Sequence, residues 1–339
     1  MKNRLSMFNR ILSGKIMPPS SSVLCSALKG QGDRLSHRLG LMSKLISKAT
    51  VVNVSNVAKY YYQHEKDTWK ESDFPTVAPP WNLFFMEYEE PTHLFREGSL
   101  EEINARSQCG VLALSFPVPE KNKEAVAIQF VASSIGFRVS NLTPENIEIV
   151  REYSKKSKWI LFCDHFVSSP STKGRAIWMP VPAFTFIDEK GNSIAHARLP
   201  LFSEEFDTEP VGREATHGIV MLSLSFVNCK NVVVSETNEF NASDKWHRRM
   251  KCPSIKYKVL DIGPMQEVLR TEGQSEVVGL KKAFHVCRGH FATYTEDNPL
   301  FGRTTGTFWK PQHVRGNREH GEVVKDYSVS TENDGETHG

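Results

Sequence analysis

The sequence predicts an α+β protein, with a mostly antiparallel sheet, a few packing helices and a basic helical N-terminal segment. Three observations carry this expectation. Runs rich in β-branched and aromatic residues outnumber the helical patterns. Strands and helices do not alternate regularly, as a doubly wound fold would require. Before residue 74, apolar residues recur at helical spacing with basic residues between them. The 339 residues leave room for one large domain or two ordinary ones, and 39% hydrophobic with 24% charged residues is a globular balance.

In chain order, Leu5, Phe8, Leu12 and Ile16 define an amphipathic basic helix that Pro18 and Pro19 end. Its acid-poor, Ser-rich surroundings also suit a mitochondrial presequence. A second helical stretch runs from about Gly40 to Trp69, and Pro75 to Pro80 is a linker because proline removes backbone donors. Strands are expected at Trp81–Glu90, Cys109–Val118, Ala125–Val131, Trp159–Val167 and Ala176–Ile187, with a hairpin turn at Asp188–Gly191 leading to Leu199. Between them Thr143–Lys155 reads as a helix, with Thr143 as N-cap, Pro144 at the first helical position and Glu145 in the first turn. The apolar run Gly218–Val227 is too short for a membrane span and reads as a buried helix within Ala215–Cys229. Beyond it come a basic patch at Asp244–Lys251 and strands at Ile255–Ile262, Glu276–Cys287, Thr305–Trp309 and Glu322–Val329. Gly316–Gly321 reads as a turn. These elements imply a basic N-terminal segment at 1–74, partly helical or flexible, a main domain at 81–329, and a disordered acidic tail at 330–339.

Net charge is only +3, but its distribution is uneven. From Met1 to Lys48 the basic residues Lys2, Arg4, Arg10, Lys15, Lys29, Arg34, Arg38, Lys44 and Lys48 face only Asp33. The six cysteines are scattered without a C-x-x-C pair, which fits a reducing compartment, so a cytoplasmic location without membrane association is expected. The glycine-rich nucleotide loops, the HExxH zinc motif and the GxSxG elbow are all absent from the sequence.

The densest chemistry lies after Lys281. His285, Cys287, His290 and His313 are of metal-ligand type, but H-x-C-x2-H is not an attested zinc spacing, so no metal or other cofactor is assigned. Arg288, Arg303, Lys310, Arg315 and Arg318 interleave with Phe291, Tyr294, Phe301, Phe308 and Trp309, a pattern that suits phosphate contact and base stacking. Lys245, Arg248, Arg249 and Lys251, beside Trp246 and His247, make a second such patch. His290 and His313 flanked by Arg288 and Arg315 could supply acid, base and charge stabilisation for metal-independent RNA cleavage, with Lys282 and Tyr294 assisting. Glu87, Glu89 and Glu90 with Asp164 and His165 are a weaker candidate, an acidic cation site.

Three stretches together resemble a family of uncharacterised proteins from bacterial genomes, plasmids and phages. They are Phe84–Glu89 (FFMEYE); the Asn228–Val232 motif (NCKNV) with the basic segment after it; and Arg288–Phe291 (RGHF) followed by Pro299–Gly302 (PLFG), the Trp309–Gly316 run (WKPQHVRG) and Lys325–Tyr327 (KDY). The resemblance covers the chain from Trp81 onward and implies a mobile-element setting without implying an activity. The expected function is therefore a nucleic-acid-associated protein of mobile-element type that binds the phosphate backbone through its basic and aromatic C-terminal strands, with a metal-independent nuclease using a His/Arg site or a purely structural, partner-binding role as the alternatives.

Overall fold

The computed structural model describes residues 6–14, 16–17, 40–42, 44–63, 74–95, 102–135, 138–168, 175–198, 212–251, 254–262, 283–287, 290–310, 313–315 and 317–322. Its centre is a nine-stranded sheet. The strands are β1 (Ile16–Met17), β2 (Thr50–Asn53), β3 (Leu83–Phe95), β4 (Glu102–Pro117), β5 (Trp159–Ser168), β6 (Ala176–Ile187), β7 (Ser193–Arg198), β8 (Val233–Thr237) and β9 (Tyr257–Asp261). Across the sheet the order is β6-β5-β4-β3-β2-β9-β8, and β1 and β7 both pair with β6. The pairs from β3 to β7 and the β8–β9 pair are antiparallel, whereas β1–β6, β2–β3 and β2–β9 are parallel. The α+β class and the mostly antiparallel sheet are as the sequence indicates.

Two elements of the central sheet and its helices differ most from expectation. β2 lies inside the segment assigned to a separate N-terminal region, yet it is parallel to β3 and β9 and lies between them. The main fold therefore begins before the proline stretch, and a four-residue strand is too short to leave a periodic signal. Lys123–Ser134 is a helix, α3, where a strand was expected. Its β-branched residues favour strand locally, but Ala127, Ile128, Val131 and Ala132 all reach the core at helical spacing, and that burial decides the outcome.

The other helices are α1 (Met7–Leu12), α2 (Ser55–Gln63), α4 (Pro144–Ser154), α5 (Gly212–Val227) and α6 (Asp244–Met250). α4 has the expected start: Thr143 accepts from the Asn146 N–H at 3.2 Å, and Pro144 opens the first turn.

Strand periodicity sends alternate side chains to opposite faces of the sheet. Phe84, Met86 and Tyr88 join the core under α2 and α5, together with Val111, Leu161 and Cys163. Phe85 faces the other way, into a core built by α1, Met42, Ile46, Leu112, Phe166, Trp178 and Tyr257. A third cluster on α3 and α4 covers Ile160, Phe162, Phe184 and Phe186.

Two glycines set the close approaches. A Cβ on Gly218 of α5 would lie 2.6 Å from the Tyr61 ring of α2, and one on Gly110 of β4 would lie 2.9 Å from Met7 Cγ of α1.

The Asn228–Val232 motif is a structural junction. Asn228 Nδ2 donates to the carbonyls of Thr76 and Ala78 at 3.1 and 2.8 Å, tying the proline stretch to the end of α5. The Lys230 N–H donates to Thr307 O at 3.0 Å. The Asn231 amide bonds both backbone groups of Trp309 at 2.8 Å, as a neighbouring strand would.

Candidate functional site

Helix α6 is short and fixed at both ends. Ser243 caps its start by accepting from the Trp246 N–H at 3.3 Å, and its end is Lys251 at φ 53°. His247 is buried and its ring meets Trp246 edge-on at 5.1 Å, so this side seats the helix. Lys245, Arg248 and Arg249 are exposed at i, i+3 and i+4, the spacing of one helical face, and Lys251 is exposed just beyond. Among the described residues none of these four pairs with a carboxylate; Arg248 Nε donates only to the Asp244 carbonyl, at 3.4 Å. Some basic residues elsewhere are neutralised. Arg151 pairs with Glu124 and Glu148, and Lys258 and Lys256 hold the exposed Glu236 below its usual carboxylate range.

The C-terminal signature forms a hairpin from β11 (His290–Tyr294) and β12 (Gly306–Lys310), with His290 opposite Lys310. Farther along, β10 (Ala283–Cys287) pairs with β13 (His313–Arg315), placing Cys287 opposite His313 and His285 opposite Arg315. The two ladders belong to separate small sheets, β13-β10-β14 and β11-β12. His290 and His313 therefore lie on strands of different sheets. Arg288 lies outside the described residues, as does Lys282, and for His313 and Arg315 only the backbone register is described. Residues 317–322 form a strand, β14, rather than the expected turn, because they pair with β10.

Trp309 is a correction. It is 2% exposed, and its ring meets Tyr60, Phe226 and Phe291 at centroid distances of 5.1, 4.8 and 4.8 Å. That ring belongs to the core and offers no face to a nucleobase. His290 is exposed, and Lys310 Nζ sits 5.3 Å from the Tyr294 ring centroid.

A third polar centre lies under α1, where the sequence marked only an acidic strand. Glu87 of β3 is 5% exposed, and its Oε2 accepts from the Phe8 N–H at 3.1 Å. Burial pushes its pKa from the ordinary 4.5 to about 7, against the opposing pull of the Phe8 N–H, Asn53 and Arg10. Arg10 is itself buried and donates to Ser168 Oγ. Ser6 Oγ and Tyr257 OH are 2.8 Å apart, and burial raises the Tyr257 pKa. Asp164, fully buried, accepts from Trp178 Nε1 at 3.4 Å. Sequence reasoning named Glu87 and Asp164 but missed Asn53, Ser168 and Tyr257, which no local spacing connects to them.

No family model, curated protein or solved structure matches this chain. Chemistry must therefore be read from the geometry.

The histidines that touch are not the expected pair. His196 of β7 and His217 of α5 stack with centroids 3.7 Å apart, and Thr185 Oγ1 is 3.2 Å from His196 Nδ1. Next to His217, Thr216 accepts from Tyr88 OH at 2.9 Å, which fixes the start of α5. Among the described residues, no three His, Cys, Asp or Glu side chains group as metal ligands. Burial raises the Cys163 thiol, and lifts that of Cys229 to about 12, so neither is a ready nucleophile. Among the described residues, no helix is long and apolar enough to cross a membrane.

Proposed function

We propose that this protein is a nucleic-acid-associated protein that holds a phosphate backbone through α6. One observation supports the reading most directly. Lys245, Arg248, Arg249 and Lys251 are exposed together, with no carboxylate partner among the described residues, on a helix anchored by a buried His247. Unpaired cations on a fixed scaffold lose little by exchanging condensed counterions for phosphates, which is how non-specific binding gains its free energy. The mobile-element setting rests on the family resemblance, and the cytoplasmic location on the scattered cysteines.

An electrophoretic shift assay with labelled RNA, single-stranded DNA and duplex DNA at two salt concentrations tests this. Wild-type binding should weaken with salt. The Lys245→Ala/Arg248→Ala/Arg249→Ala variant should lose most of its affinity and flatten the salt slope by about 2–3, since each phosphate contact contributes about 0.9. An unchanged slope in a folded variant removes α6 from the reading. A wild type that binds none of the three probes returns the protein to the structural, partner-binding alternative.

A second reading, metal-independent cleavage by His290 and His313 with Arg288 and Arg315, draws on the exposure of His290 at the start of β11. Incubating RNA with chelator present tests it. Cleavage that His290→Ala or His313→Ala abolishes while binding survives supports the histidine mechanism, and absence of cleavage rejects it.

A further inference from the structure

The sheet face under α1 is complete without that helix, because β2, β3, β4, β5 and β9 pair with one another. Into this face Ser6–Gly14 delivers an unusual mixture. Met7, Phe8 and Ile11 enter an apolar core beside Phe85 and Tyr257, while Ser6 and Asn9 contact Tyr257 OH, the Phe8 N–H donates to Glu87 and Arg10 donates to Ser168. We propose that this face is a helix-docking groove and that residues 6–14 are its reversible occupant, a tethered ligand carried by the chain itself. The inference stands apart from nucleic-acid binding.

Four observations carry it. A six-residue helix is far below the length at which a helix holds in water, so α1 is helical only while docked. Its seat joins hydrogen-bonded polar groups to apolar anchors, as separable interfaces do and interior cores rarely do. One buried acceptor, Asn9 Oδ1, finds no hydrogen-bond partner among the described residues, so the fit is incomplete. The segment that follows α1 joins the sheet only through the two-residue strand β1, which pairs with β6 at Ile16 and Met17, so little sheet pairing holds it.

Protons bias the exchange. Glu87 faces Arg10 and the Phe8 N–H from α1, Asn53 from β2, Glu89 on its own strand and Tyr257 from β9. Asp164 of β5 is buried in the same sheet. Departure of α1 uncovers Glu87 to water, so the docked state favours its protonated form. Docking is therefore tightest below pH 4.5, weakens as pH rises, and levels off above about 7. The gap sets an upper limit of about 300-fold on the change in docking affinity. Above neutrality, release would expose the groove and free Arg10.

The experiment places a protease site between residues 18 and 39 of the full chain, cleaves the folded protein, and measures retention of the N-terminal fragment by gel filtration at pH 5.5 and 8.5. The fragment should stay bound at the lower pH and be lost at the higher one. Glu87→Gln, which keeps the neutral shape, should retain it at both. Equal retention by the wild type at both pH values overturns the proposal, and so does a Glu87→Gln profile that follows the wild type. Hydrogen exchange on the uncut protein is the second measurement. Residues 6–14 should open faster than β4 and β5, with the difference growing above pH 7 after correction for intrinsic rates. Opening of 6–14 only together with β4 and β5 makes α1 an integral core element and ends the proposal.

Discussion

The two faces of the central sheet are built from the same strands, yet they hold their helices by different means. On one face the described part of α5 is mostly apolar, and its buried Ser223 turns back on the helix itself, donating from Oγ to Ile219 O at 2.7 Å. On the other face α1 pairs most of its polar groups across the contact, through Tyr257, Ser168 and Glu87, leaving Asn9 Oδ1 unpartnered among the described residues. The first arrangement makes one polar contact with the sheet, from Tyr88 OH to Thr216 near the helix start, and is otherwise an apolar core. The second specifies a partner, because each hydrogen bond works only for the helix that supplies its other half.

The difference is tested most strongly where the α5 face is densest. Trp309→Ala would empty the space between Tyr60, Phe226 and Phe291 and should cost about 3–5 kcal/mol by urea denaturation. The same change should leave nucleic-acid binding intact in whatever fraction stays folded, since the ring is buried. A loss of binding at unchanged stability would mean that Trp309 touches the ligand, and its assignment to the core would fall.

The next test asks how far the α1 face depends on pH. Glu87 has a folded-state pKa of about 7 against an ordinary 4.5. A carboxylate raised in this way supplies stability that is fully present below 4.5 and is lost as pH climbs through 7. At about 1.4 kcal/mol per tenfold change, the loss between pH 4.5 and 8 should be about 3 kcal/mol, carried by this group alone. Denaturation midpoints across that range should fall for the wild type and stay level for Glu87→Gln. Parallel curves for the two proteins would show that Glu87 is more solvated than its 5% exposure indicates.

These contrasts also mark what the sequence made legible. β3 to β6 could be read because each is long, aromatic and bounded by turn formers, and α4 because Thr143, Pro144 and Glu145 announce its start. α3 was misread because Val126, Ile128 and Val131 favour strand locally, and only its packing in the third cluster makes helix the better solution. β2 was hidden by its brevity. The polar centre under α1 could not be read as a unit, because Ser6 and Tyr257 are 251 residues apart and meet only through sheet order. The C-terminal signature showed the opposite limit: its residue types were visible, but nothing local revealed that Asn231 holds Trp309 in the core while His290 stays outside.

The smallest effect sharpens the comparison furthest, because it removes one hydroxyl from each face. Tyr257→Phe keeps the buried ring but deletes the partner of Ser6 Oγ, and should cost about 1 kcal/mol. Ser223→Ala removes a hydroxyl whose acceptor, Ile219 O, also lies in the helix ladder, so little is left unsatisfied and the change should stay within about 0.5 kcal/mol. Hydrogen exchange separates the two further. The Tyr257 variant should open residues 6–14 selectively while leaving α5 protected, because its missing bond spans a contact between two elements. The Ser223 variant should change neither region. Equal and global effects from both would mean that the two helices are held alike, and the distinction between a core and a docking groove would have no energetic basis.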